Sequence, residues 1–115
     1  SKIRNIKKSI MKIINLNPYI NIIVSNADKK TYGYELSNFI SCKPPKIEPV
    51  NENGAGDVMT GTYIYYKSKD HKMNSALSLA VAAGTLYAKS KKRKINLSYK
   101  SIKKINNNII FKSEK

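Results

Sequence analysis

Between Asn53 and Asp57 the chain reads Asn-Gly-Ala-Gly-Asp. An extended stretch, Ile47 to Val50, lies before it, read as a short strand or an extended entry, and a helical pattern of Val58, Met59, Tyr63, Ile64 and Tyr66 starts at once after it. The order of elements along the chain, helix, strands, turn and three helices, reads as part of a layered α/β structure, not as an independent all-α or all-β fold. Two glycines and an alanine leave backbone N–H groups uncovered at a helix N-terminus, where the dipole favours negative charge. Two readings of the bare string stay open. One is a nest for phosphate oxygens, or for the charge that develops on them, with Asp57 placed to accept a proton from an attacking hydroxyl. The other is a glycine turn whose aspartate only stabilises the helix. The Gly-Lys-Ser/Thr of Walker-type loops is absent, and so is the third glycine of the dinucleotide fingerprint.

The flanking sequence supplies the layers. Ile3, Ile6, Ile10, Ile13 and Ile14 recur at helical spacing and predict an amphipathic helix that ends at Asn17-Pro18. Tyr19 to Val24 is a short apolar run that predicts a buried strand. Ser25 to Lys30 reads as a polar turn, Thr31 to Leu36 as a second strand, and Phe39 to Cys42 as a third. Lys43-Pro-Pro-Lys46 is a break. Lys67 to Lys72 reads as a polar loop, and Met73 to Tyr87 as a helix whose alanines suit close packing against a neighbour. After a basic connection, Ser98 is the expected N-cap of a short last helix. Asn106 to Lys115 reads as a weak terminal strand or a frayed end.

Composition narrows the function classes. At 115 residues the chain is one domain at most, and a first residue that is Ser rather than Met suggests a piece of a longer chain. No apolar run approaches the roughly 20 residues a membrane span needs. A single cysteine, Cys42, excludes an internal disulfide and fits a cytoplasmic setting; a single histidine, His71, excludes a His/Cys zinc site. Cys42 reads as a small strand residue and His71 as a solvated loop histidine. Lys and Arg number 22 against 7 Asp and Glu, a net charge of +15, and no acidic residue lies between Asp70 and Glu114. The surplus is read as a solvated basic surface in a Lys-, Asn- and Ile-rich chain; a nucleic-acid partner is the lesser reading, because Arg4 and Arg93 are the only arginines.

The stretch from Val50 to Ala88 resembles the C-terminal signature of the ribokinase-like (PfkB-type) sugar kinases. That signature runs Asp-Thr-x-Gly-Ala-Gly-Asp-x-Phe-x-Gly and stands here as Asn51-Glu52-Asn53-Gly54-Ala55-Gly56-Asp57-Val58-Met59-Thr60-Gly61, followed without gaps by the Ala-rich helix Ala76 to Gly84. Upstream, Ile22-Ile23-Val24-Ser25 resembles the family strand that ends in Thr-x-Gly-x-x-Gly. The resemblance implies a C-terminal ATP-binding and catalytic part, residues 1–115, of a three-layer α/β/α fold, without the N-terminal sugar-binding part. It implies ATP-dependent phosphotransfer to a sugar or nucleoside hydroxyl, with ATP and Mg²⁺ as cofactors. Asp57 matches the catalytic base, Gly54, Ala55 and Gly56 the anion hole, and Ser25 a residue that approaches ATP. Val81 matches the adenine pocket, or is a core helix residue. The family also implies a homodimer for a full-length protein.

The departures limit this. Ala27 and Lys30 stand where the family has two glycines, and Asn51 replaces the usual Asp, which weakens any monovalent-cation site. The Arg-x-Gly-Ala segment of many sugar kinases is missing; Asn96-Leu97-Ser98 before a last helix looks like the pseudouridine kinase branch, which implies pseudouridine as acceptor, with ribokinase or another sugar kinase as the alternative. An inactive remnant or a basic nucleic-acid-binding module are the readings of a different class. Because the family builds its acceptor site mostly from an N-terminal region, the 115-residue chain alone is expected to show no kinase turnover.

Overall fold

The computed structural model describes residues 2–25, 30–50, 53–91 and 97–114. Ala27, Asn51, Glu52 and the basic run 92–96, with Asn96 of the supposed branch signature, lie outside the described residues. The elements run α1 (Lys2–Leu16), β1 (Ile22–Val24), β2 (Thr31–Glu35), β3 (Asn38–Lys43), α2 (Ala55–Ser68), α3 (Met73–Lys89), α4 (Tyr99–Asn106) and β4 (Ile110–Ser113).

The four strands form one antiparallel sheet in the order β1-β2-β3-β4. Its register fixes two faces, because side chains alternate along each strand. Tyr32 and Phe39 point to α1 and cluster with Ile10, while Ile3, Ile6 and Ile14 of α1 close over them. Ile40 and Cys42 point the other way, into a larger core built from α2, α3 and Ile102 of α4. Gly33, opposite Ile40 in the β2–β3 pairing, lies on that second face. A Cβ there would stand 2.8 Å from Leu77 Cδ2, so the missing side chain lets α3 seat on the sheet. The result is three layers, helix, sheet and helices, as the α/β/α expectation requires.

α3 is the buried centre. Met73, Ala76, Leu77, Ala80, Ala82 and Ala83 are all within 1% of complete burial. A helix buried on most of its circumference needs apolar residues on most of its circumference, which is why its sequence shows almost no polar face. Burying Met73 and Leu77 contributes roughly 1.5–3 kcal/mol each.

Some boundaries differ from the sequence reading. The first strand covers only Ile22–Val24, because Tyr19 sits in the turn after Pro18 and is 80% exposed. The extended stretch before the glycine corner forms no strand; Val50 N–H instead donates to Ala88 O at 2.8 Å. The polar loop after α2 is shorter than expected, since α2 continues through Ser68 and Lys67 is held by Glu35 at 2.7 Å. His71 is half-buried rather than solvated, with Nδ1 3.0 Å from Ser75 Oγ and its ring edge-on to Tyr66. Ser98 does cap α4, accepting from Ser101 N–H. The C-terminal segment is a strand: β4 pairs with β3, and the buried Glu114 carboxylate accepts from Ser41 Oγ at 3.0 Å.

Burial pushes the Cys42 thiol from its ordinary 9.0 up to about 12. Between those values the unfolded chain loses the thiol proton and the folded chain keeps it, so this contribution is complete below pH 9 and fades as pH rises toward 12. At pH 8 the native thiol is therefore expected to resist a chromogenic disulfide reagent that modifies it rapidly in urea. The fall in unfolding free energy from pH 9 to 10.5 should be shallower in Cys42→Ala.

Candidate functional site

The glycine corner is held by one face of α3. Gly84, Tyr87 and Ala88 lie three and four residues apart and so share a helix face. Ala88 O takes the Val50 N–H ahead of the corner. The Tyr87 ring lies against Gly54, where a Cβ would stand 3.1 Å from its hydroxyl. A Cβ on Gly84 would stand 3.3 Å from the Ala55 carbonyl oxygen and 3.5 Å from Met59 Cβ. The start of α2 therefore rests on bare backbone of α3. Gly54 has φ +94°, the left-handed region that glycine enters without a steric cost.

Gly54 is the N-cap of α2, and its carbonyl accepts the first intrahelical bond, from Val58 N–H at 2.9 Å. The N–H groups of Ala55, Gly56 and Asp57 precede that bond and are free of intrahelical partners, as at any helix start. With no side chain at 54 or 56, and only a methyl at 55, these donors are open. Nothing lies within 4 Å of a Cβ built on Gly56. Asp57 is exposed in the first turn of the same helix.

Beneath the corner is a cavity of about 400 Å³. Four of the residues singled out from sequence come together in its lining: Ser25, Ala55, Gly56 and Val81. Gly54 and Asp57 are not in the lining; they bracket Ala55 and Gly56 along the chain. Val81 unites both of its sequence readings, being 4% exposed in the core and a wall of the cavity. Ser25 reaches the site because β1 ends there.

Sequence reasoning missed the rest of the wall. Pro44, Pro45, Ile47 and Pro49 close one side, and Met59 and Thr31 contribute from α2 and β2. Gly84, Thr85 and Ala88 continue the face of α3 that Val81 begins. The spacing 81, 84, 85, 88 was a readable signal, since it is one stripe of a helix. The proline wall carried none, because Pro-rich connections are read as breaks. The lining is mostly apolar with hydroxyls at Ser25, Thr31 and Thr85, the make-up of a site for a flat apolar ring with a few polar edges. The open amides of α2 border it and suit an anionic tail. An adenine nucleotide fits this donor set. For a metal the donor set is poor: among the described residues no three of His, Cys, Asp or Glu cluster closely enough to hold an ion.

Comparison with known proteins bears on the family and the fold. The family model described as pfkB family carbohydrate kinase matches residues 1–98. No curated protein matches the chain by sequence. Among solved structures, phosphofructokinase-2 from Escherichia coli, in complex with potassium, superposes with a TM-score of 0.78 at 22% identity, covering 90% of this chain and 33% of that one. A carbohydrate kinase from Agrobacterium tumefaciens superposes with a TM-score of 0.60 at 21% identity, covering 76% of this chain and 29% of that one. The chain thus spans about a third of the length of these structures. Among its described residues no helix is long and apolar enough to cross a membrane.

Two glycines separate architecture from chemistry. Gly84→Val is expected to push α2 off α3 and to cost about 1–3 kcal/mol in urea unfolding. Gly56→Ala, with open space around the new methyl, should leave stability unchanged or raise it by up to about 1 kcal/mol.

Proposed function

The chain belongs to the pfkB family of carbohydrate kinases, and from that premise we propose that it is the ATP-binding and phosphoryl-transfer part of a kinase acting on a sugar or nucleoside hydroxyl. The observation that carries the reading is the convergence of Ser25, Ala55, Gly56 and Val81 on one cavity beside the uncovered start of α2. Val81 and the prolines flank the base, and Ser25 lies at the edge of the nucleotide. The amides of Gly54, Ala55 and Gly56 serve as the anion hole, donating to the oxygens of the transferred group as charge shifts among them. The Asp57 carboxylate takes the proton of the attacking hydroxyl.

When bound, Mg²⁺–ATP supplies the γ-phosphoryl group and neutralises part of its charge. Among the described residues no three carboxylates cluster, which suits an ion carried mainly by the phosphates and water. Within the acceptor class we assign pseudouridine, giving the 5′-phosphate, on the Asn96-Leu97-Ser98 segment. Ribose and fructose 6-phosphate offer the same reacting hydroxyl chemistry and are the competing acceptors.

The test uses the longest product of the reading frame that contains these residues, assayed with ATP and a panel of pseudouridine, ribose, fructose 6-phosphate and adenosine. One acceptor is expected to be phosphorylated, and Asp57→Asn should lower kcat by about 10²–10⁴-fold while ATP binding changes little. An unchanged rate in Asp57→Asn would remove the assigned base. The 115-residue chain by itself is expected to give no turnover, and sugar phosphorylation by it alone would overturn the view that the acceptor site lies mostly outside it.

A further inference from the structure

The cavity wall contains one hydroxyl whose proton is already committed. Thr85 is 8% exposed on α3, and its Oγ1 donates to Val81 O, one turn back, at 2.8 Å. Turning that proton toward the cavity would break a buried hydrogen bond, which costs more than the bond's modest net worth. Such back-bonding to the carbonyl four residues earlier is an ordinary arrangement for a threonine inside a helix. With its proton so committed, the hydroxyl of this lining residue has only acceptor capacity left for a ligand. Ser25 and Thr31 also line the cavity, but a hydroxyl rotor can donate or accept and so tells no polarity apart. The remaining wall near Thr85 is Val81, Gly84 and Ala88, whose side chains bring no polar atom.

We propose that Thr85 is a base-specificity residue of this site, selecting a purine with an amino group at position 6 over one with an oxo group there. The inference rests on the nucleotide-site reading above. An exocyclic amine donates to the Thr85 oxygen. An exocyclic carbonyl would set two acceptors against each other and leave both unpaired, and discrimination of this kind exceeds what shape alone gives.

The experiment measures ATP and ITP affinity by calorimetry in the longest product of the reading frame, for the parent, Thr85→Val and Thr85→Ser. Valine keeps the shape and removes the acceptor; serine keeps the acceptor and the back-bond. ATP is expected to bind about 10–100-fold more tightly than ITP in the parent and in Thr85→Ser. In Thr85→Val the ratio should fall to within about threefold, mainly through weaker ATP binding. A generic packing defect would weaken both nucleotides and leave the ratio alone, which would overturn the proposal. Equal affinities in the parent would overturn it as well, leaving the nucleotide site intact. Failure of both nucleotides to bind would overturn the nucleotide-site reading and this inference with it.

Discussion

The contact between Gly84 and the Ala55 carbonyl sets the distance between α2 and α3, and most of the structure takes its position from that distance. With 3.3 Å available to a Cβ, no larger residue fits without moving a backbone. Because α2 starts there, the same contact places the open amides of Ala55 and Gly56 over the cavity. Tyr87 and Ala88 extend it by lying against Gly54 of the corner and holding Val50 ahead of it. A helix that is small and apolar on this face can serve at once as core and as the floor of a site. The apolar density of α3 therefore has two causes, packing against the sheet through Leu77 and Met73, and leaving room above Val81 and Gly84.

This double use explains what was legible in the sequence. The glycine corner announced itself, because only a backbone with φ above zero at Gly54 and bare amides after it needs that composition. The layers were legible where the period was clean: α1 through its isoleucines, β2 and β3 through alternation, α4 through its Ser98 cap. Tyr19 was misread because an apolar residue beside a strand looks like part of it, whereas Pro18 had already set a turn. Ile47 to Val50 read as a short strand or an extended entry; it forms no strand, and Val50 N–H goes to the end of α3. Lys67 looked like loop, yet its charge is spent on Glu35 across the layer boundary. Such a long-range partner leaves no trace in local pattern. The cavity wall was the least legible part. The four wall residues Pro44, Pro45, Ile47 and Pro49 meet the helix stripe of Val81, Gly84, Thr85 and Ala88 only through the fold, and nothing in their own neighbourhood marks them.

The charge surplus bears on the site as a field. Of the seven acidic residues, Glu35 is paired with Lys67, and Glu114 is buried against Ser41. Part of the cationic excess is used locally, with Lys7, Lys69 and Lys103 lying over the rings of Phe39, Tyr65 and Tyr99 at 5.5–5.6 Å. Amphipathic stems laid on aromatic faces are a solvated-surface pattern. A net charge of +15 draws in any polyanion at low salt, a tetra-anionic nucleotide included, and the attraction weakens within a Debye length as salt rises. On the proposed function, selectivity has to come from the uncharged cavity.

Phosphoryl transfer also needs water kept from the reacting group. On the proposed function, the described residues provide one side of such a chamber. Ala55, Gly56 and Val81 form floor and wall, but Asp57 is exposed and the space beyond Gly56 is open. A base in that setting cannot tell an acceptor hydroxyl from water, so acceptor selection requires a second wall facing Asp57. The matched structures are about three times longer than this chain, and the extra length is where such a wall would be found. The division follows from chemistry: binding the nucleotide and stabilising its phosphoryl charge are tasks for backbone and small residues close in sequence. Choosing the acceptor needs a surface brought from elsewhere in the fold.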